Sequence, residues 1–468
     1  MQFFFALFHI KSLFIPIICC NFAVANVFKS TIMKKTYFHL LFLGFVAWFL
    51  GSCTETPEGP EVPPGEPSTV VYECNERLFA KTDAFKAIEA YVPELYKMQV
   101  NVLWLMPIHP RGTVKSVGSP YCIKDHRAID PAFGTMDDLK SLVNTCHGYG
   151  IRVVLDWVAN HTAWDNPWVT AHPDWYQAAQ TSDERNWNDV TFLNYDNREV
   201  RDTMTACMLY WIEEADIDGF RCDYAHGVPS NWWKEATAAI LKAKPTAFLL
   251  AETEKTELYQ AGFQLLYSWS YLTAIENLYS GTATIYKWIS ASDNEFNTTP
   301  DGKERLRYIT THDECNNKAP QSCYTNAKGE LSAFCLTIFM GGVPMIYSSQ
   351  ELGYMQKVNF FDYKLMDFHS PNNTRTELET LMYAYQTTRY IRSGKKKTGP
   401  LSDKVAYIEY TQDDKSLLVV CNTTNSSQTV DLPVAYQNVK VTDMKTGEKL
   451  SLAKQLQLNG FDYVIYNK

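Results

Sequence analysis

The chain has no excess of basic residues. In 468 residues, 43 Lys and Arg stand against 52 Asp and Glu, for a formal net charge of −9. Without a basic excess, an electrostatic nucleic-acid footprint is excluded. Charged residues make up only 20% and hydrophobic residues 46%, so the charge-rich, apolar-poor make-up of bulk disorder is missing too. There are no internal repeats and no disulfide framework. Two of the 12 Cys precede Cys53. The other nine are Cys74, Cys122, Cys146, Cys207, Cys222, Cys315, Cys323, Cys335 and Cys421, an odd count scattered through apolar runs. They read as small buried hydrophobes. Cys315 and Cys323 could pair, but their spacing fits no zinc signature. Aromatic side chains, by contrast, are plentiful at 14%. They supply flat stacking surfaces for ligands such as sugars, or fill a large core. The length suits a barrel of about 250 residues or more with one accessory domain.

Residues 1–52 are set apart as a signal region. Met33-Lys34-Lys35 is a short basic start, and Tyr37–Leu50 is a 14-residue apolar run, right for a signal core and short for a membrane span. Leu50-Gly51-Ser52-Cys53 resembles the lipobox of bacterial lipoproteins, which implies cleavage before Cys53 and lipidation of its thiol. We expect translation to start at Met33; a plain cleaved secretory signal or a true membrane anchor are the alternatives. Residues 53–69 are rich in Pro, Glu and Gly and read as a flexible tether. This predicts a lipid-anchored protein of a Gram-negative cell envelope, on the outer membrane at its surface or periplasmic face.

From Val70 onward, short apolar runs alternate with amphipathic stretches. Eight runs are candidate strands: Val70–Cys74, Val100–Met106, Ile151–Val158, Asp218–Asp223, Ala247–Glu252, Phe263–Tyr267, Arg305–Thr310 and Val343–Tyr347. Between them, Thr135 and Asp138 form a capping-box pair ahead of Leu139, Leu142, Val143 and Cys146 at helical spacing. Val200, Met204, Met208, Trp211 and Ile212 share another helix face. Pro229-Ser230 opens a third helix, and Pro245 closes it. Eight strand–helix units predict a closed (β/α)8 barrel over residues 70–395. Residues 162–194, with Trp164, Trp168, Trp175 and Trp187, break the rhythm and read as an insertion after the third strand. Residues 396–468 carry short alternating strands, an antiparallel β-domain. The run Lys395-Lys396-Lys397 reads as a solvated boundary between the two.

In such barrels the chemistry sits at the C-terminal ends of the strands. Here four ends turn polar: DWVANH at 156–161, GFRCD at 219–223, AET at 251–253 and THD at 311–313. Asp223, Glu252 and Asp313 can therefore converge from three strands. Arg221, two residues before Asp223, faces the same way. In this order and on these strands, the four segments resemble the hallmark regions of the α-amylase family, glycoside hydrolase family 13. LWLMPIHP at 103–110, SPYCIKDHRAIDPAFGT at 119–135 and GVPMIYSSQELG at 342–353 add to the likeness.

The resemblance implies a retaining glycosidase cleaving α-glucosidic bonds, chiefly α-1,4, in starch or maltodextrin. Asp223 would be the nucleophile and Glu252 the acid and base, while Asp313 would grip sugar hydroxyls. Tyr121, His161, Arg221 and His312 would contact or support the substrate, and Asp156 would support the site. A retaining mechanism needs one ionised and one protonated carboxyl about 5–5.5 Å apart, and Arg221 would keep Asp223 ionised. Trp157 should face the core, and His226 the cleft rim. Many family members bind calcium here. Asn160 matches one ligand, but Phe192 and Gly227 fall where other ligands are expected and offer no donor for a hard cation. We therefore expect no metal or other cofactor, with a shifted calcium site from Asp165, Asp174, Asp183 or Asp189 as the alternative. An α-1,6-active or transglycosylating enzyme, or a non-catalytic glycan-binding lipoprotein, also remains open, as does oligomeric state.

Overall fold

The computed structural model describes residues 68–177 and 187–468. Cys53, the signal region and the tether lie outside them, as does Asp183. In chain order the first ten strands are β1 (Val71–Cys74), β2 (Val102–Leu105), β3 (Arg152–Trp157), β4 (His161–Ala163), β5 (Val190–Phe192), β6 (Gly219–Cys222), β7 (Phe248–Ala251), β8 (Leu265–Leu266), β9 (Glu304–Arg307) and β10 (Val343–Tyr347). All except β4 and β5 pair in parallel and close a barrel in the order β1-β10-β9-β8-β7-β6-β3-β2. Each of the eight expected runs supplies one barrel strand. Their near-continuous apolar character follows from burial on both faces of a parallel sheet.

Local signals set the helices. Thr135 Oγ1 accepts from Asp138 N–H at 3.2 Å while Asp138 Oδ2 accepts from Thr135 N–H at 2.8 Å, so the capping box opens Met136–Gly148. Val200, Met204, Met208, Trp211 and Ile212 form the buried face of Arg198–Ala215. Gly219 starts β6 at φ +142, where an added Cβ would lie 1.9 Å from the Phe248 carbonyl oxygen. No other residue lets β6 approach β7 so closely. Those two strands carry Asp223 and Glu252.

The insertion contains β4 and β5, paired antiparallel with His161 opposite Phe192. Trp175 is buried and stacks on His172. Trp168 stacks on His126, and Trp164 lies under the Lys115 ammonium. Trp157 is fully buried.

Beyond the barrel come β11 (Lys395–Ser402), β12 (Val405–Gln412), β13 (Lys415–Asn422), β14 (Gln428–Asp431), β15 (Lys440–Asp443), β16 (Lys449–Ser451), β17 (Gln455–Leu458) and β18 (Tyr463–Asn467). Six of these form one sheet ordered β11-β12-β13-β18-β15-β16, and β14 pairs with β17. The strand period of two divides its side chains between two cores. Ala406, Ile408, Tyr410, Leu417, Val419 and Cys421 join the barrel core. Val405, Tyr407, Leu418 and Val420 build a separate cluster on the outer face.

Lys395 and Lys397 are solvent-exposed, as a solvated boundary requires, but residues 395–397 already belong to β11, and alternation turns the middle lysine inward. Lys396 Nζ donates to Met340 O at 2.8 Å, and burial lowers its pKa. All nine described cysteines are free thiols, and all but Cys323 are buried. Cys315 and Cys323 are therefore not joined.

Candidate active site

The barrel register assembles the site. Asp156 on β3 lies opposite Arg221 on β6, and Cys222 lies opposite Ala251 on β7. One residue further on, Asp223 and Glu252 leave their strands side by side. Arg221, with no exposed surface, faces three carboxylates at once. Its Nη1 donates to Asp156 Oδ1 at 2.9 Å and to Asp223 Oδ1 at 3.0 Å. Its Nη2 lies 3.0 Å from Glu252 Oε2, an ion-pair contact without hydrogen-bond alignment. Nε donates to the Tyr267 hydroxyl at 3.2 Å. A planar guanidinium can serve several carboxylates in this way, and a lysine cannot.

Asp223 and Glu252 are each only 8% exposed. Burial pushes Asp223 up to about 6 against the pull of Arg221. Burial, opposed by Arg221 and reinforced by the charges of Asp223 and Asp313, pushes Glu252 up to about 8. Between those values one carboxyl is ionised and the other protonated, the split that acid and nucleophile roles need. Asp156 is likewise pushed up to about 6 by burial against Arg221. It accepts from Trp104 Nε1 and from the Tyr121 hydroxyl, each at 3.1 Å.

Tyr224 follows Asp223 in a left-handed conformation, φ 42. Such strain in a non-glycine residue persists only where surroundings enforce it. It aims the Tyr224 N–H at Glu252 Oε2, at 2.6 Å. Gly227 makes this possible, because a Cβ there would lie 2.2 Å from the Tyr224 ring.

His312 and Asp313 open the helix His312–Asn317, capped by Thr311. His312 Nε2 lies 2.8 Å from the Tyr121 hydroxyl and 3.5 Å from Asp313 Oδ2. Its Nδ1 meets the buried carboxylate of Glu73 in a very short contact. Burial opposes charge on this ring, but Asp313 and Glu73 outweigh it and raise His312 to about 9. Asp313, with half of its side-chain surface exposed, stands at the mouth.

These groups floor a cleft of about 310 Å³. Tyr121, His161, Asp223, Glu252, His312 and Asp313 line it, with Val117, Trp187, Val190, Phe360 and Phe361 as apolar walls. Arg221 and Asp156 lie beneath. His226 is not part of the lining; its ring packs on Tyr224, which takes the expected place at the rim. Glu73, Trp104, Tyr224 and Tyr267 are contacts that strand-end reasoning misses. Glu73 was visible as a lone acid within an apolar strand, and Trp104 lies in the 103–110 segment.

The residues at the usual calcium position do not fit the ion. The Asn160 amide donates to His161 Nδ1 at 3.1 Å, and its oxygen faces Gly227. Phe192 is buried against Cys122, Ala163 and Val190. Asp165 is engaged by Thr113 and Lys124, and Asp174 by Asn197. Among the described residues, no group of three or more His, Cys, Asp or Glu side chains could hold a metal.

Comparison with known proteins agrees with this geometry. The model of the alpha amylase catalytic domain matches residues 85–192 and 186–428. "Alpha-amylase 2" of Dictyoglomus thermophilum is 24% identical over 80% of this chain and 71% of its own length. "Alpha-amylase 3" of the same organism is 28% identical over 41% of this chain and 44% of its own. "Cyclomaltodextrinase" of Geobacillus thermopakistaniensis is 23% identical over 74% and 64%. The chain thus spans from 44% to 71% of the length of these relatives. The structure of a maltogenic alpha-amylase, AmyB, from Thermotoga neapolitana superposes with a TM-score of 0.75 at 25% identity, covering 86% of this chain and 98% of that one. An alpha-amylase from Lactobacillus plantarum shares the fold at a TM-score of 0.77 and 24% identity, with the same coverage.

Proposed function

The chain belongs to the alpha-amylase family, and from that premise we propose that it is a retaining hydrolase of α-glucans, cutting α-1,4 bonds of starch or maltodextrin. The observation that carries this is the Arg221-bridged pair of Asp223 and Glu252, near-neighbours with opposite protonation at neutral pH. A retaining mechanism requires two carboxyls close together, about 5–5.5 Å apart. Asp223 attacks the anomeric carbon while Glu252 protonates the departing glycosidic oxygen. Glu252, now ionised, takes a proton from water, which attacks the glycosyl-enzyme and restores Asp223. Tyr121, His161, His312 and Asp313 bind the sugar hydroxyls.

The apolar walls at Val117, Trp187, Phe360 and Phe361 favour a second outcome. A sugar acceptor stacked there competes with water, so transglycosylation accompanies hydrolysis. The chain is further proposed to be a lipoprotein held by lipidated Cys53 at the outer membrane, on the strength of the segment Leu50–Cys53 and the polar tether. No helix among the described residues is long and apolar enough to cross a membrane.

The test is to incubate the purified protein with maltoheptaose, starch, pullulan and isomaltose, and to read product size and anomer by NMR. Hydrolysis of the first two to α-anomeric products is expected. A β-anomeric first product rules out double displacement, and products longer than the substrate establish transfer.

A further inference from the structure

Glu73 takes no part in the bond chemistry or sugar binding assigned above, yet it is fully buried beneath the cleft. It projects from β1 among apolar neighbours. Its Oε1 meets both the backbone N–H of His312, at 3.4 Å, and the His312 Nδ1. Its Oε2 has no hydrogen-bond partner among the described residues. A buried carboxylate placed here costs stability unless it does something for the ring it faces.

The other face of that ring shows what it does. His312 Nε2 lies 2.8 Å from the Tyr121 hydroxyl, which in turn lies 3.1 Å from Asp156 Oδ2. A phenol carries one proton. If Tyr121 donates it to Asp156, then Tyr121 can only accept from His312, and Nε2 must carry a proton. Nδ1 faces the same Glu73 oxygen that accepts the His312 backbone N–H, and with that oxygen as acceptor Nδ1 carries one as well. Both ring nitrogens are then donors, and the ring is an imidazolium.

Resting on the glycosidase reading above, we propose that Glu73 is a positioning residue that keeps His312 doubly protonated. It thereby fixes the direction of a hydrogen-bond chain from Glu73 through His312 and Tyr121 to Asp156. With a neutral residue at 73 the ring favours one proton. Held on Nδ1, that proton leaves Nε2 as an acceptor, which turns the Tyr121 hydroxyl away from Asp156. The groups that bear on the ring are Glu73 from β1, Tyr121 from the loop after β2, Asp156 from β3, Arg221 from β6 and its neighbour Asp313. Trp104 and Phe360 meet the ring at right angles, and the Tyr121 ring lies nearly parallel to it. Asp313 and Glu73 favour the imidazolium, Arg221 opposes it, and Asp313 alone is open to solvent screening.

The experiment uses protein labelled with 15N-histidine. The His312 signal is assigned by its loss in His312→Gln. Ring nitrogen shifts are then followed from pH 5 to 10 in the parent, Glu73→Gln and Glu73→Asp. In the parent, both nitrogens should keep imidazolium shifts through pH 8. In Glu73→Gln the ring should lose its proton at least about one pH unit lower, and Glu73→Asp should restore most of the difference. In parallel, kcat and KM for maltoheptaose are measured at pH 6 and pH 8. Glu73→Gln should lose about tenfold or more at pH 8 and recover much of that at pH 6, where the ring is protonated in either form. Unchanged signals from the other histidines establish that the variant is folded. A parent His312 that is neutral at pH 7, or a Glu73→Gln ring titrating like the parent, overturns the proposal. If no α-glucan is turned over at all, the glycosidase reading falls, and the ring titration still decides the role of Glu73.

Discussion

Replacing Arg221 by Met keeps an unbranched buried side chain and removes the only cation that, among the described residues, pairs with Asp156, Asp223 and Glu252 together. Arg221 is the largest influence lowering the proton affinity of each of the three. A unit charge at about 4 Å is worth about 4 kcal/mol at an effective dielectric near 20, or nearly three pKa units. Water entering the vacated space and proton uptake by a neighbouring carboxyl reduce that, so we expect Asp223 to rise by at least about one unit. Asp223 must be ionised to attack, and it sits at about 6 with Arg221 in place. The acid limb of kcat/KM should therefore move upward, and turnover at pH 7 should fall about twofold from protonation alone for a rise of one unit and about tenfold for a rise of two. Stability follows the same sign. Carboxyls whose folded-state pKa lies above the unfolded value contribute stability below about pH 4, and that contribution is lost as pH rises through the folded value. Removing Arg221 raises those folded values further. Breaking a buried ion set costs about 3–5 kcal/mol, and this loss should appear at pH 8 and largely vanish at pH 5. The assay is kcat/KM from pH 4 to 10, with urea unfolding at pH 5 and pH 8. An acid limb that stays put, with equal destabilisation at both pH values, refutes the claim that Arg221 sets the charge of the site.

Glu252→Gln and Asp223→Asn should each lower kcat by about a thousandfold or more; activity above a tenth of the parent's in either removes its assigned role. Glu252→Gln should also melt higher than the parent at pH 8. The glutamate, raised to about 8, loses its favourable contribution as pH climbs, whereas the amide carries no charge and can still accept from Tyr224 N–H. A lower melting temperature at pH 8 counts against that account. Dialysis against EDTA should leave activity and melting temperature unchanged, and a drop of several degrees restored by calcium would reveal a metal site. Cys53→Ser should move the protein from the membrane to the soluble fraction, and unchanged sedimentation with membranes excludes the lipid anchor.

The barrel was legible because burial on both faces writes each strand as an unbroken apolar run, and eight such runs alternate with helical periodicity. The strand ends were legible because polar groups interrupt those runs where the mouth must lie, which brought Asp156, Arg221, Asp223, Glu252, His312 and Asp313 into one list. The misreadings have a common cause. Lys396 and His226 were judged by residue type and near neighbours in sequence, but their surroundings come from the barrel helices and from the fold of the Tyr224 turn. Type and neighbours cannot say which way a side chain leaves a strand edge or a strained turn.

Glu73 eluded the same logic for a deeper reason. A search for polar residues where apolar runs stop finds groups that touch the solvent-filled mouth. It passes over a carboxylate inside a run, because an apolar strand with one acid still scores as a core strand. Yet a layer beneath the mouth has to exist. Asp156, Asp223 and Asp313 bring three carboxylates to one cleft and its floor, and their repulsion must be met. Arg221 supplies one positive charge there, and Asp156 and Asp223 already share it. The His312 ring can supply the second, but only if some group opposes the effect of burial on its charge. Glu73 is buried where solvent cannot screen it, and it faces the ring nitrogen remote from the cleft. The same strand position with an apolar residue would satisfy the barrel core and leave the mouth one cation short.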